Sequence, residues 1–293
     1  MIKTLLYIWN HPFNKKNKLL GISNFFKWQI NCFLNNYDII YKLSENSKIV
    51  ARKGLTGVTG NIYNGLHEFN DKLFLLHFLR ENDTFCDIGA NVGVYTILAS
   101  AEVGSKTISI EPIPSTFDLL KFNILINQIN DKVILLNIGL GAIDSEIAFT
   151  ENLDTANHVA TSFEIENKNV IKIPVKTLDE ITKNDIPSIL KIDVEGYETE
   201  VLNGANNLLK NSILKAIIIE LNGAGQRYGY DESLIHDKLL LNGFKIFTYE
   251  PYSRELINIS YLSKQNTLYI RDYDFVKERI IDSRKIKIQK QLI

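Results

Sequence analysis

Residues 86–96 constrain the fold of this chain more than any other part of its sequence. They read Cys-Asp-Ile-Gly-Ala-Asn-Val-Gly-Val-Tyr-Thr, so an apolar stretch leads to an acid, two glycines follow, and a helical pattern begins. This order is typical of the ligand-binding turn at the carboxyl end of the first strand in an open α/β sheet. Gly89 and Gly93 lack a Cβ, which allows the backbone to approach a ligand closely.

The acid and the glycine spacing indicate which ligand this turn binds. A dinucleotide fingerprint has three glycines, whereas here Asn91 takes the place of the middle glycine and Asp87 precedes the turn. The carboxylate would repel a phosphate, but it would attract an ammonium or sulfonium group. S-adenosylmethionine (SAM) carries both cations and no phosphate. The turn therefore predicts a SAM site and argues against a nicotinamide-dependent oxidoreductase.

A second acid, Glu111, ends the predicted strand over residues 107–111 and is followed by Pro112. It stands about 20 residues after the glycine turn, where folds of this kind bind the ribose hydroxyls of a ligand. Taken alone, Glu111 would be a solvated strand end. Because Asp87 precedes it at this spacing, we predict that Glu111 binds ribose.

Two later apolar strands deliver polar side chains to the same edge of the predicted sheet. These side chains are Asp193 and Glu195 after residues 189–192, and Glu220 and Asn222 after residues 217–219. Clustered carboxylates raise one another's pKa, which suits a base that works near neutral pH. Lys191 interrupts the first of these strands, and a buried lysine needs a carboxylate partner. We therefore expect Lys191 to pair with Asp193.

With these motifs the chain resembles the FkbM family of SAM-dependent methyltransferases. The motifs are Asp-Ile-Gly-Ala-Asn-Val-Gly at 87–93, Ile-Glu-Pro at 110–112, Lys-Ile-Asp-Val-Glu-Gly at 191–196 and Ile-Glu at 219–220. The resemblance extends from residue 65 to residue 272 and includes the weaker segment that contains Glu68. The cofactor-binding residues that we predict from the motifs and the resemblance are Glu68, Asp87, Gly89, Asn91, Gly93, Glu111 and Pro112.

The resemblance implies transfer of a methyl group from SAM to a hydroxyl. We predict an O-methyltransferase that acts on a sugar hydroxyl in a bacterial surface glycan. A secondary metabolite is the alternative acceptor, and a non-catalytic SAM- or glycan-binding protein is the alternative class. The sequence lacks an Asn-Pro-Pro-Tyr segment for a flipped base and a recognised RNA-binding module, so we expect no nucleic-acid partner.

A hydroxyl acceptor of high pKa needs a base to take its proton, or a metal ion to acidify it. The predicted catalytic residues are Asp193, Glu195 and His158, and His67 is a further candidate base. All-oxygen ligation by Asp193, Glu220 and Asn222 would suit Mg²⁺. We favour base catalysis and keep the metal as the alternative.

Alternating strand and helix patterns predict an α/β fold with a mostly parallel sheet and right-handed crossovers. The resemblance implies a seven-stranded Rossmann-like sheet of order 3-2-1-4-5-7-6, with helices on both faces. The predicted strands cover residues 85–87, 107–111, 133–138, 189–193, 217–220, 244–249 and 267–271. The last two should be antiparallel because a short helix-free stretch joins them. A β-like insertion between residues 146 and 176, which includes residues 154–158, is a candidate substrate cap.

The chain divides by composition into a basic N-terminal helical arm (1–64), a methyltransferase domain (65–273) and a basic helical tail (274–293). Residues 1–60 hold nine Lys and Arg against two Asp and Glu, a net charge of +7, whereas the whole chain has a net charge of −1. We favour an arm that packs on the domain or on a second subunit. Peripheral contact with an anionic membrane is the alternative.

The sequence also predicts where the protein is found. No run reaches the ~18 apolar residues of a membrane span, and the first residues lack the features of a signal peptide. The two cysteines, Cys32 and Cys86, do not suggest a disulfide scaffold. We therefore predict a cytoplasmic protein, with the inner face of the membrane as the alternative location.

Overall fold

The computed structural model of the chain has an α/β fold in which a large mixed sheet is covered by helices. The structure describes residues 1–34, 37–151, 153, 156–167, 170–263 and 265–293. Asp154 and Thr155 of the predicted cap lie outside the described residues. In the described part of the chain, no helix combines the length and the apolar character needed to cross a membrane.

The strands in chain order are β1 (Ile39–Lys42), β2 (Lys48–Ala51), β3 (Thr84–Ile88), β4 (Lys106–Ile110), β5 (Val133–Leu136), β6 (Gly139–Leu140), β7 (Ser145–Thr150), β8 (Val170–Lys176), β9 (Ile189–Ile192), β10 (Ala216–Glu220), β11 (Lys245–Glu250), β12 (Glu255–Asn258), β13 (Asn266–Ile270), β14 (Lys287–Ile288) and β15 (Gln291–Leu292).

The α-helices are α1 (Ile2–Asn10), α2 (Lys18–Leu34), α3 (Thr56–Asn64), α4 (Phe69–Phe78), α5 (Val94–Ile97), α6 (Pro114–Asn127), α7 (Ser162–Asn167), α8 (Leu178–Ile181), α9 (Glu198–Asn203), α10 (Asn206–Lys210), α11 (Glu232–Leu241) and α12 (Tyr273–Ile281). A π-helical turn over Leu98–Val103 extends α5, and 3₁₀ helices cover Pro12–Lys16 and Ala224–Tyr228.

The central sheet has eight strands in the order β12-β11-β13-β10-β9-β3-β4-β5. The predicted α/β class and the antiparallel pairing of the last two predicted strands, β11 and β13, are confirmed. The predicted number of seven strands is wrong, because β12 pairs with the outer edge of β11. Leu256 is half-buried, and the other three residues of β12 are exposed. Such an exposed edge strand has no apolar pattern that the sequence could show.

Helices cover both faces of this sheet. Successive side chains of a strand point to opposite faces. In β10, Ile218 therefore belongs to one core, and its neighbours Ile217 and Ile219 belong to the core on the other face. Ile218 lies in the core that contains α4 and α12, and the other two lie in the core that contains α9 and α11. Burial on both faces explains why β10 is continuously apolar.

The N-terminal arm packs on the first of these cores. Ile8, Phe13, Phe25 and Trp28 are buried in the same cluster as the apolar side chains of α4. One face of the arm therefore packs against the domain, which is the interpretation that the sequence favours. The boundaries at residues 64 and 273 stay predictions.

The C-terminal tail is helical only in its first part. The chain leaves α12 at Ile281, and β14 then pairs antiparallel with β15, so the predicted helix is wrong beyond that residue. Ile286 and Ile288 are buried at alternate positions, which is the period of a strand. Gln289 adopts a positive φ of 50° between the two short strands, where the chain reverses.

The insertion between residues 146 and 176 contains β structure, as the sequence predicts. β7 and β8 pair antiparallel, and β6 pairs with β8 to complete a separate three-stranded sheet. An isolated antiparallel bridge joins Phe149 of β7 to Val159.

Burial of the arm leads to a stability prediction. Phe13→Ala should lower the free energy of unfolding by about 3–5 kcal/mol, because it opens a cavity in a core shared by the arm and the domain. Phe33→Ala is the matched control, since Phe33 is 88% exposed and its truncation should change stability by less than about 0.5 kcal/mol. Urea denaturation followed by circular dichroism measures both. Equal stability of the two variants would contradict packing of the arm on the domain.

Candidate active site

The glycine turn after β3 brings the backbone of two strand ends together. Gly89 has a φ of 75°, and a Cβ at this position would overlap the backbone oxygen of Asp193 at the end of β9. Gly93 has a φ of 90°, and a Cβ there would overlap the side chain of Leu120 in α6. The positive φ favours glycine at both positions, and at Gly89 the backbone of Asp193 also leaves no space for a Cβ.

Asp87 is buried and connects β3 to the helix that follows the turn. Its Oδ2 accepts hydrogen bonds from the backbone N–H of Thr96, at 3.0 Å, and from the Thr96 hydroxyl, at 2.6 Å. Burial raises the pKa of Asp87 to about 6, although the bonds from Thr96 favour the carboxylate. Asp87 also lines the cavity described below, so the same side chain contacts α5 and borders the cavity.

Glu111 is held in place by the backbone of two loops. Its Oε2 accepts from the N–H of Asn91 at 2.9 Å, and its Oε1 accepts from the N–H of Ile113 at 3.0 Å. Burial raises the pKa of Glu111 to about 7, against the effect of these two bonds. A carboxylate oxygen has more than one acceptor site, so each oxygen can still accept a bond from a ribose hydroxyl.

A cavity of about 370 Å³ lies at the carboxyl ends of β3, β4, β9 and β10. Six of the seven predicted cofactor residues line it, namely Glu68, Asp87, Gly89, Asn91, Glu111 and Pro112. Gly93 does not line the cavity, because it lies against Leu120. The position of the cavity is the one at which open α/β sheets bind their ligands.

Three carboxylates, those of Asp193, Glu195 and Glu220, meet on one wall of this cavity, with one oxygen of each within 4.8 Å of the others. Burial and the nearby charge of Asp193 raise the pKa of Glu195 to about 7 and that of Glu220 to about 8. These pKa values suit groups that accept a proton near neutral pH.

The ammonium group of Lys191 partly compensates this negative charge. It is buried and lies 3.0 Å from Oδ2 of Asp193, so the predicted pairing is confirmed. Burial disfavours the charged ammonium, but Asp193 and Glu68 outweigh burial and hold the pKa of Lys191 above its usual range.

Two of the residues predicted for catalysis or metal binding do not line the cavity. Asn222 is exposed, and its side-chain oxygen accepts from the N–H of Ala224 at 2.9 Å. The predicted metal ligands were Asp193, Glu220 and Asn222, but the third side chain beside Asp193 and Glu220 is that of Glu195. His158 is buried, with Nε2 3.1 Å from Oε2 of Glu164 and Nδ1 2.8 Å from the backbone oxygen of Ala156.

The extended backbone around His158 explains its position. Its neighbours Asn157 and Val159 line the cavity, whereas His158 does not. Successive side chains in an extended segment point to opposite sides, so the histidine between two lining residues faces away from the cavity. His67, the other candidate base, does line the cavity, and its Nδ1 lies 2.9 Å from the hydroxyl of Tyr7 in α1.

Tyr95 in the first turn of α5 is a site residue that the sequence did not reveal. Its hydroxyl is buried and has no hydrogen-bond partner among the described residues, although the side chain lines the cavity. The ammonium groups of Lys72 and Lys191 lie 4.6 and 5.6 Å from the centre of its ring. An unsatisfied buried donor costs about 1–3 kcal/mol, so a ligand that bonds to this hydroxyl would be stabilised.

Glu68 joins this part of the cavity to β13. Its Oε2 lies 2.8 Å from Nζ of Lys72, and its Oε1 accepts from Nδ2 of Asn266 at 2.5 Å. Burial disfavours the carboxylate, but the ammonium groups of Lys72 and Lys191 hold the pKa of Glu68 below its usual range. The cavity thus offers cations, carboxylates and an unpaired hydroxyl. This donor set fits SAM, which has a carboxylate, an amine, a sulfonium and a ribose diol.

Comparison with known proteins identifies the family. The sequence model of the FkbM methyltransferase domain matches residues 87–246, which is more than half of the chain. The chain belongs to the FkbM methyltransferase family. This match extends from Asp87 through the glycine turn and the acidic wall to β11.

Two curated relatives are similar to this FkbM methyltransferase. The hexuronic acid methyltransferase AglP of Haloferax volcanii is 30% identical over 151 residues, which are 50% of this chain and 59% of AglP. The chain thus spans less than two thirds of that relative. Methyltransferase 1 of Beauveria bassiana is 22% identical over 209 residues, which are 62% of this chain and 80% of that protein.

Solved structures resemble the fold only distantly. A precorrin-6y C5,15-methyltransferase from Geobacter metallireducens has a TM-score of 0.40 at 12% identity, covering 75% of this chain and 92% of that chain. TrmK of M. capricolum, solved with S-adenosyl-homocysteine, has a TM-score of 0.37 at 10% identity, covering 70% of this chain and 67% of that chain. Both scores are too low to carry an argument about function.

The position of Glu111 generates a prediction about cofactor affinity. Glu111→Gln should weaken SAM binding by about 1–3 kcal/mol, because charge-assisted hydrogen bonds to the ribose are lost. Glu198→Gln is a matched control. Glu198 is also buried, also has a pKa of about 7 and also accepts two backbone N–H bonds, but it does not line the cavity. Calorimetric titration with SAM compares the two, and equal affinities would contradict the ribose assignment.

Proposed function

We propose that this protein transfers the methyl group of SAM to a hydroxyl of a saccharide. One observation carries the proposal. The acidic wall formed by Asp193, Glu195 and Glu220 belongs to the same cavity as the glycine turn and Glu111, so a base would lie beside the bound cofactor. The similarity to AglP, a hexuronic acid methyltransferase, supports a sugar as the acceptor.

The chemistry assigns a task to each part of the cavity. SAM supplies a methyl group that its sulfonium already makes electrophilic. The protein must hold the acceptor oxygen about 3 Å from that methyl group and remove the hydroxyl proton. Glu220 and Glu195 are the proton acceptors, because their raised pKa values make their carboxylates stronger bases than ordinary glutamates. Burial raises these pKa values most, and the charge of Asp193, which Lys191 fixes in place, raises them further.

The wall beside Glu195 suits an acceptor with both apolar and polar faces. Tyr197 lines the cavity, and its ring centre lies 5.5 Å from that of Tyr228 and 6.3 Å from that of Tyr230. The hydroxyl of Tyr228 donates to the backbone oxygen of Val159 at 2.7 Å, which ties this aromatic cluster to the cap. Aromatic rings with polar tips can cover the apolar face of a sugar and leave its hydroxyls to polar groups.

The proposal extends to the source of the acceptor, the cap that covers it and the alternative role of a metal ion. The acceptor is a sugar of a bacterial surface glycan, methylated in the cytoplasm, and the insertion over residues 146–176 is its cap. A secondary metabolite is the second candidate acceptor. Mg²⁺ held by Asp193, Glu195 and Glu220 is the alternative to base catalysis, since three carboxylates are suitable ligands for it.

Methyl transfer should depend on the carboxylate of Asp193. We expect Asp193→Asn to keep SAM affinity within a few-fold and to lower kcat by about tenfold, because Glu195 and Glu220 become weaker bases when the neighbouring negative charge is lost. The assay incubates SAM with glucuronate- or glucose-terminated oligosaccharides and follows S-adenosylhomocysteine release and the methylated product by mass spectrometry. Asp144→Asn is the surface control.

The outcomes of this assay separate the candidates. Wild-type rates in Asp193→Asn would contradict the carboxylate mechanism. Activity that is lost in EDTA and restored by Mg²⁺ would replace base catalysis by a metal site. SAM binding without transfer to either oligosaccharide would overturn the saccharide assignment.

The raised pKa values of the acidic wall predict a rising pH profile. A carboxyl group must lose its proton before it can act as a base. We therefore expect kcat/KM to be low below about pH 6 and to rise through pH 7 to 8, the pKa values of Glu195 and Glu220, to a plateau. Glu220→Gln should remove the upper part of this rise. A rate that is independent of pH over this range would exclude both glutamates as the base.

A further inference from the structure

The long helix of the arm, α2, is apolar on two opposite sides. Gly21, Phe25 and Trp28 form its buried side and face the core. The other side carries Leu19, Phe26, Ile30 and Phe33, which are 73%, 47%, 57% and 88% exposed. The intervals of seven, four and three residues place these four side chains on one helical face. A helix normally turns such a stripe toward a partner, and here none of the described residues covers it.

The first helix extends this exposed stripe. Ile2, Leu6 and Trp9 of α1 are exposed and follow one another at intervals of four and three residues, so they also share one face. The ring of Trp9 lies 4.8 Å from the ammonium group of Lys18 at the first residue of α2. The exposed faces of both helices therefore adjoin. We call the seven side chains Ile2, Leu6, Trp9, Leu19, Phe26, Ile30 and Phe33 the arm surface.

The charged residues of the segment that carries the arm surface, residues 1–37, all have the same sign. Residues 1–37 contain five lysines and no Asp or Glu. Lys3, Lys15 and Lys27 are exposed, and Lys3 and Lys27 directly follow Ile2 and Phe26 of the arm surface. A surface that is apolar at its centre, basic at its margins and flanked by a tryptophan is typical of helices that lie in the interface of an anionic bilayer.

We propose that the arm surface docks the protein on an anionic lipid bilayer, with α1 and α2 lying in the headgroup region. A second copy of the chain is the competing occupant, but a two-fold interface would set the lysines of one arm against those of the other. No acid in residues 1–37 is present to compensate them. Lipid phosphates supply the complementary charge, and acyl chains cover the apolar side chains.

The docking surface is close to the cavity. The hydroxyl of Tyr7 in α1 lies 2.9 Å from Nδ1 of His67, which lines the cavity. Docking through α1 would thus bring the cavity near the headgroups. Lipid binding itself does not rest on the proposed methyl transfer, and it can be tested without an acceptor.

The test is co-sedimentation of the full chain with vesicles. We expect vesicles of phosphatidylcholine with about one third phosphatidylglycerol to bind the protein at least tenfold more tightly than phosphatidylcholine alone, and high salt to reduce this difference. The variant Phe26→Ser/Ile30→Ser/Phe33→Ser should lose at least tenfold in binding. The variant Lys3→Gln/Lys15→Gln/Lys27→Gln should also bind these vesicles at least tenfold more weakly than the wild type.

A matched control separates the arm surface from exposed apolar residues in general. Leu234→Ser/Leu241→Ser removes two leucines of α11 that are 64% and 88% exposed, and it should bind vesicles like the wild type. Circular dichroism checks that all variants fold. Equal binding to both vesicle types, or undiminished binding of the arm variants, would overturn the proposal. So would a lipid-free dimer, seen by analytical ultracentrifugation, that the same serine variants dissociate, because the occupant would then be a second copy.

Discussion

The cavity depends on the buried ammonium group of Lys191, which lies in a largely acidic environment. Lys191 is in the centre of a strand that is covered on both faces, and its ammonium group pairs with Asp193. Removing one partner of such a pair would leave an uncompensated charge among carboxylates. The same pair fixes Asp193 beside Glu195 and Glu220, and the charge of Asp193 contributes to their raised pKa values. Strand packing and proton-accepting capacity thus have a common origin.

Local patterns predicted the parts of the site that depend on a strand and the turn after it. The glycine turn, Glu111 and the acidic ends of β9 and β10 were predicted correctly as neighbours, because parallel strands end at one edge of a sheet. The pairing of Lys191 with Asp193 was also predictable, since a charged side chain in an apolar strand needs a partner of opposite charge. These features need no knowledge of distant contacts.

Features that depend on tertiary contacts were not predictable. His158 is a candidate base by its chemistry. Its side chain faces Glu164, because successive side chains of an extended segment point to opposite sides. Tyr95 gave no signal, because an aromatic residue in a helix after a turn is ordinary. It is distinguished by its buried hydroxyl, which has no partner in the part of the chain that the structure describes. The edge strand β12 and the hairpin of the tail are too short or too exposed for the apolar periodicity on which such predictions depend.

The hydrogen bond between Tyr7 and His67 joins the helix that carries the arm surface to the wall of the cofactor cavity. When one binding event changes the affinity for another, the coupling between them is reciprocal. If a bilayer that holds α1 changes the affinity for the cofactor by some factor, then the cofactor must change the affinity for the bilayer by the same factor. The occupancy of the cavity would then help to set how long the protein remains at a surface.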